Sequence, residues 1–314
     1  MALSANEQQD QNRSEVPAQT VTNTFFGNLI NKCCSTNRAL TLPKWTTLNE
    51  FYGPLAAQSI GTKQGRSFEL KYFGIGVRGA NAIGIDARGV TKMRANQHQP
   101  SDANLFTAIP FLCRELAFDL PDLERKKYRM RTVQKIGAID YVFYWLKLID
   151  FADYNPQVNK ITRDENGQEI PVPYVPIKDD LFNPQPVEFT SEGSTPISNV
   201  YGNSSAILNC SLYEQDLVEI SNACRIMFND AGYGAINEVC VVWGVDTQAD
   251  GQVTGGAVVR YTEVQSAVIG HFVTERDARN ALTNTKVQLA YDHGASEPML
   301  LHTNSTTSAT SQGN

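Results

Sequence analysis

The sequence predicts an α+β, β-rich fold: two lobes of mainly antiparallel sheet with a few short helices and extended terminal arms. Three observations predict it. Turn-forming Gly, Pro, Asn and Asp recur between short apolar runs, few segments hold a helical period, and both ends are polar with little to bury. A chain of 314 residues can bury a large core. At about 150 residues per domain, two lobes are expected.

The first element is a polar N-terminal arm, residues 1–23, rich in Gln, Asn, Ser and Glu and expected to be disordered alone. Its counterpart is the C-terminal tail, residues 303–314, TNSTTSATSQGN. Ordering about twenty such residues costs roughly 20 kcal/mol or more. Contact of on the order of 800 Å² with a neighbour offsets that, so exchange of arms between copies is the expected use.

A β-rich lobe is expected over residues 24–178. Ser67 to Phe73 alternates, with Phe68, Leu70 and Tyr72 on one face of a strand. Met130 to Lys135 and Ile139 to Ile149 read as a hairpin turning at Ile136-Gly137. Tyr141, Phe143, Tyr144 and Trp145 occupy both faces of the second strand, so it should be covered on both sides. Asn166-Gly167 is a hairpin turn, and Pro171, Pro173 and Pro176 make the stretch after it an edge strand or an extended connector.

Residues 179–198 hold Pro184, Pro186 and Pro196 with little periodicity and read as a connector. An α+β lobe then spans 199–302. Ser211 and Glu214 form a capping box for a helix carrying Leu217, Ile220 and Cys224, with Gly232 as its end. Val239 to Val245 is a buried strand. Asp250-Gly251 turns into a strand over Val258 to Tyr261, Thr274 to Leu282 has the look of a short helix, and Lys286 to Tyr291 is a strand.

Composition excludes several classes of function. A net charge of -6 disfavours a DNA or membrane coat, which needs a basic surface. Charged residues make up only 19%, below the usual quarter, as for a surface that partners cover. No apolar run reaches the roughly 18 residues of a membrane helix, and the first twenty residues carry no secretory signal. The six cysteines, at 33, 34, 113, 210, 224 and 240, read as reduced and form no C-x-x-C.

Motifs that could carry chemistry each have a plainer reading. Gly74-Ile75-Gly76-Val77-Arg78-Gly79 comes after a strand, as a dinucleotide site requires. The Gly-rich, β-branched residues after it make a poor helix, so a glycine loop or bulge at a close backbone approach is expected. His98, His271, His293 and His302 have no metal-ligand spacing. A carboxylate pair such as Glu115 and Asp119 can be drawn in any chain, and Asp164 to Glu169 and Asp246 to Asp250 lack the ligands of a calcium loop. The run from Glu124 to Arg131, with Tyr128 inside it, could touch nucleic acid but suits a solvated or interface helix face better. No catalytic, cofactor-binding or metal residue is therefore singled out, and no cofactor, small-molecule substrate or membrane partner is expected; nor is direct nucleic-acid contact.

LPKWTTLNEFYGP (Leu42 to Pro54), the FGIGVRG segment and NLFTAIPFLCRELAFDLPDLERKKYRMR from Asn104 occur in an order that resembles a family of tailed-bacteriophage virion structural proteins. INEVCVVWGVD (Ile236 to Asp246) and GASEPMLL near the end extend the resemblance over about residues 40–302. It implies a multi-copy structural or adaptor subunit of a virion, in the baseplate, tail or head-to-tail neck, assembled in the host cytoplasm. Its partners would be other virion proteins and copies of itself. The rivals are a virion-associated hydrolase of the cell envelope and a soluble monomeric binding module. No nucleophile elbow or metal motif supports the hydrolase. A disulfide between subunits at Cys33 or Cys34 stays open.

Overall fold

In a computed structural model, which describes residues 18–55, 68–164, 168–184, 197–282 and 285–300, strands dominate and the helices are few and short. In chain order the elements are β1 (Gln19–Asn23), α1 (Phe25–Ser35), α2 (Leu48–Tyr52), β2 (Glu69–Val77), β3 (Ala80–Ile85), β4 (Thr91–Ala95), β5 (Thr107–Ile109) and β6 (Leu112–Glu115). Next come α3 (Asp122–Arg125), β7 (Tyr128–Ile136), β8 (Ile139–Leu148), β9 (Gln157–Arg163), β10 (Glu169–Pro173), α4 (Lys178–Phe182) and β11 (Ile197–Asn209). The last are β12 (Leu212–Tyr213), α5 (Glu214–Phe228), β13 (Ala235–Gln252), β14 (Val258–Asn280), β15 (Lys286–Val287) and β16 (Ala290–Leu300).

The chain divides into two units, but not at 179–198. Unit one takes Met1–Ile149 and Ser211–Gln288; unit two takes Asp150–Cys210 and Leu289–Asn314. Strand pairing is the reason. β16, near the end of the chain, zips antiparallel along β11 from Asn209↔Ala290 onward, so the final segment joins the residues inserted after Ile149.

Unit one is built on an eight-stranded sheet in the order β1-β14-β13-β2-β8-β6, with β5 also on β2 and β7 on β8. The β7–β8 hairpin forms as the alternation predicts, with Gly137 left-handed at φ 62° in its turn. Val142 to Trp145 are all buried, so this sheet is covered on both faces. Phe143, Trp145, Tyr72, Val242 and Phe272 share one core, and Tyr52 of α2 stacks on Trp145 at 4.5 Å. Thr24 caps α1 by accepting from Gly27 N–H at 2.9 Å.

Helix α2 plugs an irregularity in the sheet. β13 and β14 slip register between Trp243 and Val245, and Ser266 takes a left-handed φ of 52°. Asn49, 1% exposed, fills the gap. Its Nδ2 donates to the carbonyls of Val264 and Pro54, each at 2.9 Å, and its Oδ1 accepts from Ala267 N–H at 2.7 Å.

Several expectations are corrected. The Gly74 to Gly79 segment is no loop: Gly74 and Gly76 lie inside β2, between β13 and its neighbours on the other edge. Asp250-Gly251 lies within β13, and the turn falls later, where Gly255 and Gly256 adopt φ 81° and 78°. Thr274 to Leu282 is no helix, because residues to Asn280 extend β14. The Glu275–Arg279 spacing is helical, and the pair does meet at 2.7 Å, but ladders to β1 and β13 supply the backbone bonds a helix would have made. Helix α5 starts at Glu214 rather than on a Ser211 cap. Asp216 Oδ2 accepts from Tyr213 N–H at 3.0 Å, and left-handed Asn229 ends the helix before Gly232. Lys286 to Tyr291 is split between β15 and β16.

The arm is not free along its whole length. Gln19–Asn23 pairs with residues 271–275 of the same chain. Residues 1–17, the tail at 303–314 and the Asn166-Gly167 turn lie outside the described residues.

Unit two holds a four-stranded sheet in the order β10-β9-β11-β16. β9 and β10, the flanks of the expected Asn-Gly hairpin, pair antiparallel, and β10 with Pro171 and Pro173 is an edge strand as expected.

Candidate functional site

Several titratable side chains of unit one are drawn into internal networks. Arg129 holds Asp246 in a two-pronged grip, Nε to Oδ1 at 2.7 Å and Nη2 to Oδ2 at 3.1 Å. Tyr72 Oη donates to the same carboxylate at 2.8 Å, and Lys71 Nζ lies 3.1 Å from it. Burial alone would raise the Asp246 pKa; the bonds and charge of Arg129, with Tyr72 and Lys71, bring it below its ordinary 3.8. Burial and the Asp246 charge push the Tyr72 hydroxyl up.

A second network centres on Asp119. Arg131 Nη2 reaches it at 3.0 Å and Tyr144 Oη donates to it at 2.7 Å. A third joins Lys147 Nζ to Asp216 at 2.6 Å, with Tyr128 Oη donating to that carboxylate at 3.2 Å. Glu263, fully buried, accepts from the backbone N–H of Met130, Arg131 and Val264 at 2.6, 2.8 and 2.7 Å. It thereby holds β7 where Met130 takes a left-handed φ of 57°.

These networks correct the reading of the Glu124 to Arg131 run. Arg125, Arg129 and Arg131 are buried and only Lys126 and Lys127 face solvent. The acids just before the run, Asp119 among them, and Asp246, 117 positions away, neutralise it. Arg125, Lys126, Gln248, Arg260 and Tyr261 line an open cleft of about 300 Å³, where Arg125 pairs with Asp122 at 2.8 Å. Glu115 ends β6 exposed while the Asp119 side chain is only 5% exposed, so the two carboxylates stand in unlike surroundings.

A further constellation of acid–base groups is one the sequence did not single out. His98 lies between Phe106 and Phe272, ring centroids 3.9 and 3.7 Å away. Its Nδ1 is 2.8 Å from Asp102 Oδ2 and its Nε2 is 2.6 Å from Glu238 Oε1. That same Oε1 accepts from Phe106 N–H at 2.8 Å. His98 is 2% exposed and Glu238 is fully buried, so no substrate reaches the pair without the sheet opening. The cluster acts as a clasp fastening residues 98–106 to β13.

Glycines make room for this clasp. A Cβ on Gly76 would lie 2.7 Å from Glu238 Oε2, and one on Gly79 would lie 2.0 Å from the Asn237 carbonyl oxygen. The close backbone approach expected of the G-x-G-x-x-G run is present, although strand β2 leads into strand β3 and opens no helix. His271 lies on β14 and His293 on β16, where Tyr154 Oη is 3.3 Å from its Nδ1 and burial lowers its pKa. His302 lies outside the described residues. Among the described residues no group of three or more His, Cys, Asp or Glu is arranged to hold a metal ion.

All six cysteines are free thiols. Cys33 and Cys34 are half-buried on α1 while the other four are buried. Burial pushes Cys113, Cys210 and Cys224 up to about 12.

Among the exposed apolar side chains, two groups lie on sheets. One is the β3–β4 hairpin, a two-stranded sheet of its own with Ile83, Ile85, Val90 and Met93 in solvent. The other is unit two, with Val158, Ile170, Val172 and Val175. No helix of the described residues is long and apolar enough to cross a membrane.

No curated protein and no solved structure matches the chain. A family model covers residues 10–308, and the chain belongs to that family, a family of unknown function (DUF7208).

Proposed function

We propose that the chain is a multi-copy structural or adaptor protein that binds neighbouring subunits through its sheets and arms. The observation that carries the reading is the contrast between the interior and the surface. Asp246, Asp216 and Glu263 of unit one are bonded inside the fold, whereas apolar residues of the β3–β4 hairpin and of the unit-two sheet stand in solvent. An isolated two-stranded hairpin is marginal in water and gains from being covered.

The setting we propose is a tailed-phage virion, in the baseplate, tail or neck. Its support is the resemblance of the Leu42 to Pro54, Phe73 to Gly79 and Asn104 to Arg131 runs. Other virion proteins and copies of this chain are the proposed partners. Gln19–Asn23 pairs within the chain, so the proposed arm contact falls to residues 1–17.

Quantitative mass spectrometry of purified particles tests the reading by copy number. A fixed stoichiometry of several copies per particle supports it, and a chain absent from particles refutes it. Removing residues 1–17 is expected to weaken assembly while leaving the tryptophan fluorescence of the free chain unchanged.

A further inference from the structure

The β3–β4 hairpin has two unlike faces. Cross-strand pairing places Ala82 opposite Met93 and Ile85 opposite Thr91 on one side, and Asn81 opposite Arg94 and Gly84 opposite Lys92 on the other. Ile83 is the extra residue of a bulge between them. The apolar side is bare: Ile85 is 71% and Met93 36% exposed. The base is fixed, since Asn96 N–H donates to Gly79 O at 2.8 Å and Asn96 Nδ2 to Arg78 O at 2.6 Å. Residues 78–95 carry four basic side chains, Arg78, Arg88, Lys92 and Arg94, against Asp86 alone, a net +3 in a chain of -6.

Charge is divided unequally between the units. Unit two has eleven acidic and three basic residues, a net of -8, while unit one has 22 acidic and 24 basic, a net of +2. The unit-two sheet presents Val158, Ile170 and Val172 on one face, beside Lys160, Gly202, Ser204 and Glu297. Val158 is 52% and Val172 51% exposed. The β10 edge of this sheet is closed to strand addition. Tyr174 N–H donates inward to Val158 O, so the odd-numbered positions of β10 point their nitrogens outward, and two of these are Pro171 and Pro173. Beside β10, the exposed face is what remains for a partner.

We propose that the β3–β4 hairpin of one copy docks on the Val158, Ile170 and Val172 face of unit two in a second copy. This deepens the assembly reading and rests on it. Opposite net charges steer the approach, and the apolar sides close the contact. The two surfaces differ, so the contact is heterologous and repeats head to tail into a ring or filament.

Sedimentation of the full-length chain across micromolar to sub-millimolar concentration tests this, using Ile85→Glu on the hairpin and Val172→Asp on the sheet. Both positions are exposed, and circular dichroism checks that each variant folds. The wild type is expected to self-associate, less strongly as salt rises. Each variant should lose at least tenfold in association, about 1.4 kcal/mol. An equal mixture of the two should form a dimer and nothing larger, because one intact hairpin and one intact sheet remain between them. A monomeric wild type, unchanged variants, or a mixture that stays monomeric while each variant fails would overturn the proposal. Multi-copy particles found alongside any of those results would leave the assembly reading standing.

Discussion

Replacing Asn49 by Ala removes the plug from the β14 bulge. Three hydrogen bonds are lost, and the Ala267 N–H, already in the bulge, is left without its acceptor. An orphaned buried N–H costs about 1–3 kcal/mol and each further lost bond about 0.5–1.5. Regained side-chain freedom offsets up to about 1 kcal/mol. A destabilisation of about 3 kcal/mol is expected. The readout is specific, because Trp45, Trp145 and Trp243 all lie in unit one and their fluorescence in urea reports on that unit. With a slope of about 2–3 kcal/mol per molar urea, the midpoint should fall by roughly 1–1.5 M. Phe51→Ala, on the same helix but 68% exposed, is the control and should shift it by less than about 0.2 M. An Asn49→Ala midpoint no lower than that of the control would refute the plug.

Three further outcomes are expected. The pKa of Asp246 is held below its ordinary value in the fold, so its stabilising contribution is present above about pH 3.8 and is lost as pH falls through the folded value. Asp246→Asn should therefore flatten the acid limb of a stability–pH profile, and an unchanged limb would count against the network. Gly76→Ala should destabilise unit one by about 1–3 kcal/mol by crowding the fully buried Glu238 carboxylate, measured by the same fluorescence midpoint. In brief alkylation of the native chain at pH 8, mass spectrometry should find Cys33 and Cys34 labelled first, and all six only in denaturant; early labelling of Cys113 or Cys224 would contradict their burial.

Local signals sufficed where local forces decide. The β7–β8 hairpin was legible because Gly137 marks its turn and the aromatic residues fall on both faces of the second strand. The Pro-bearing β10 edge was legible because proline lacks the donor an interior strand needs. Thr274 to Leu282 misled, since its spacing is helical while strands β1 and β13 on either side impose extension. The His98 clasp stayed hidden for a related reason. His98 and Glu238 are 140 positions apart, and nothing near either residue announces the other. The basic run misled in the same way, because Asp246 comes from a strand far along the chain. Pairing between remote strands also decided the division into units, as β11 and β16 show.

The pairing of β1 with β14 has a temporal meaning. Thr20 and Thr274, hydroxyls 2.6 Å apart, are separated by 254 positions. At roughly 5–20 residues per second, β1 waits roughly 10–50 s after its own synthesis before its partner exists. Throughout that interval Gln19–Asn23 has no β14 to pair with and the sheet lacks that outer edge. The outer edge that β1 closes is therefore among the last parts of this sheet to form, and unit one is complete only once residues near 275 have been made.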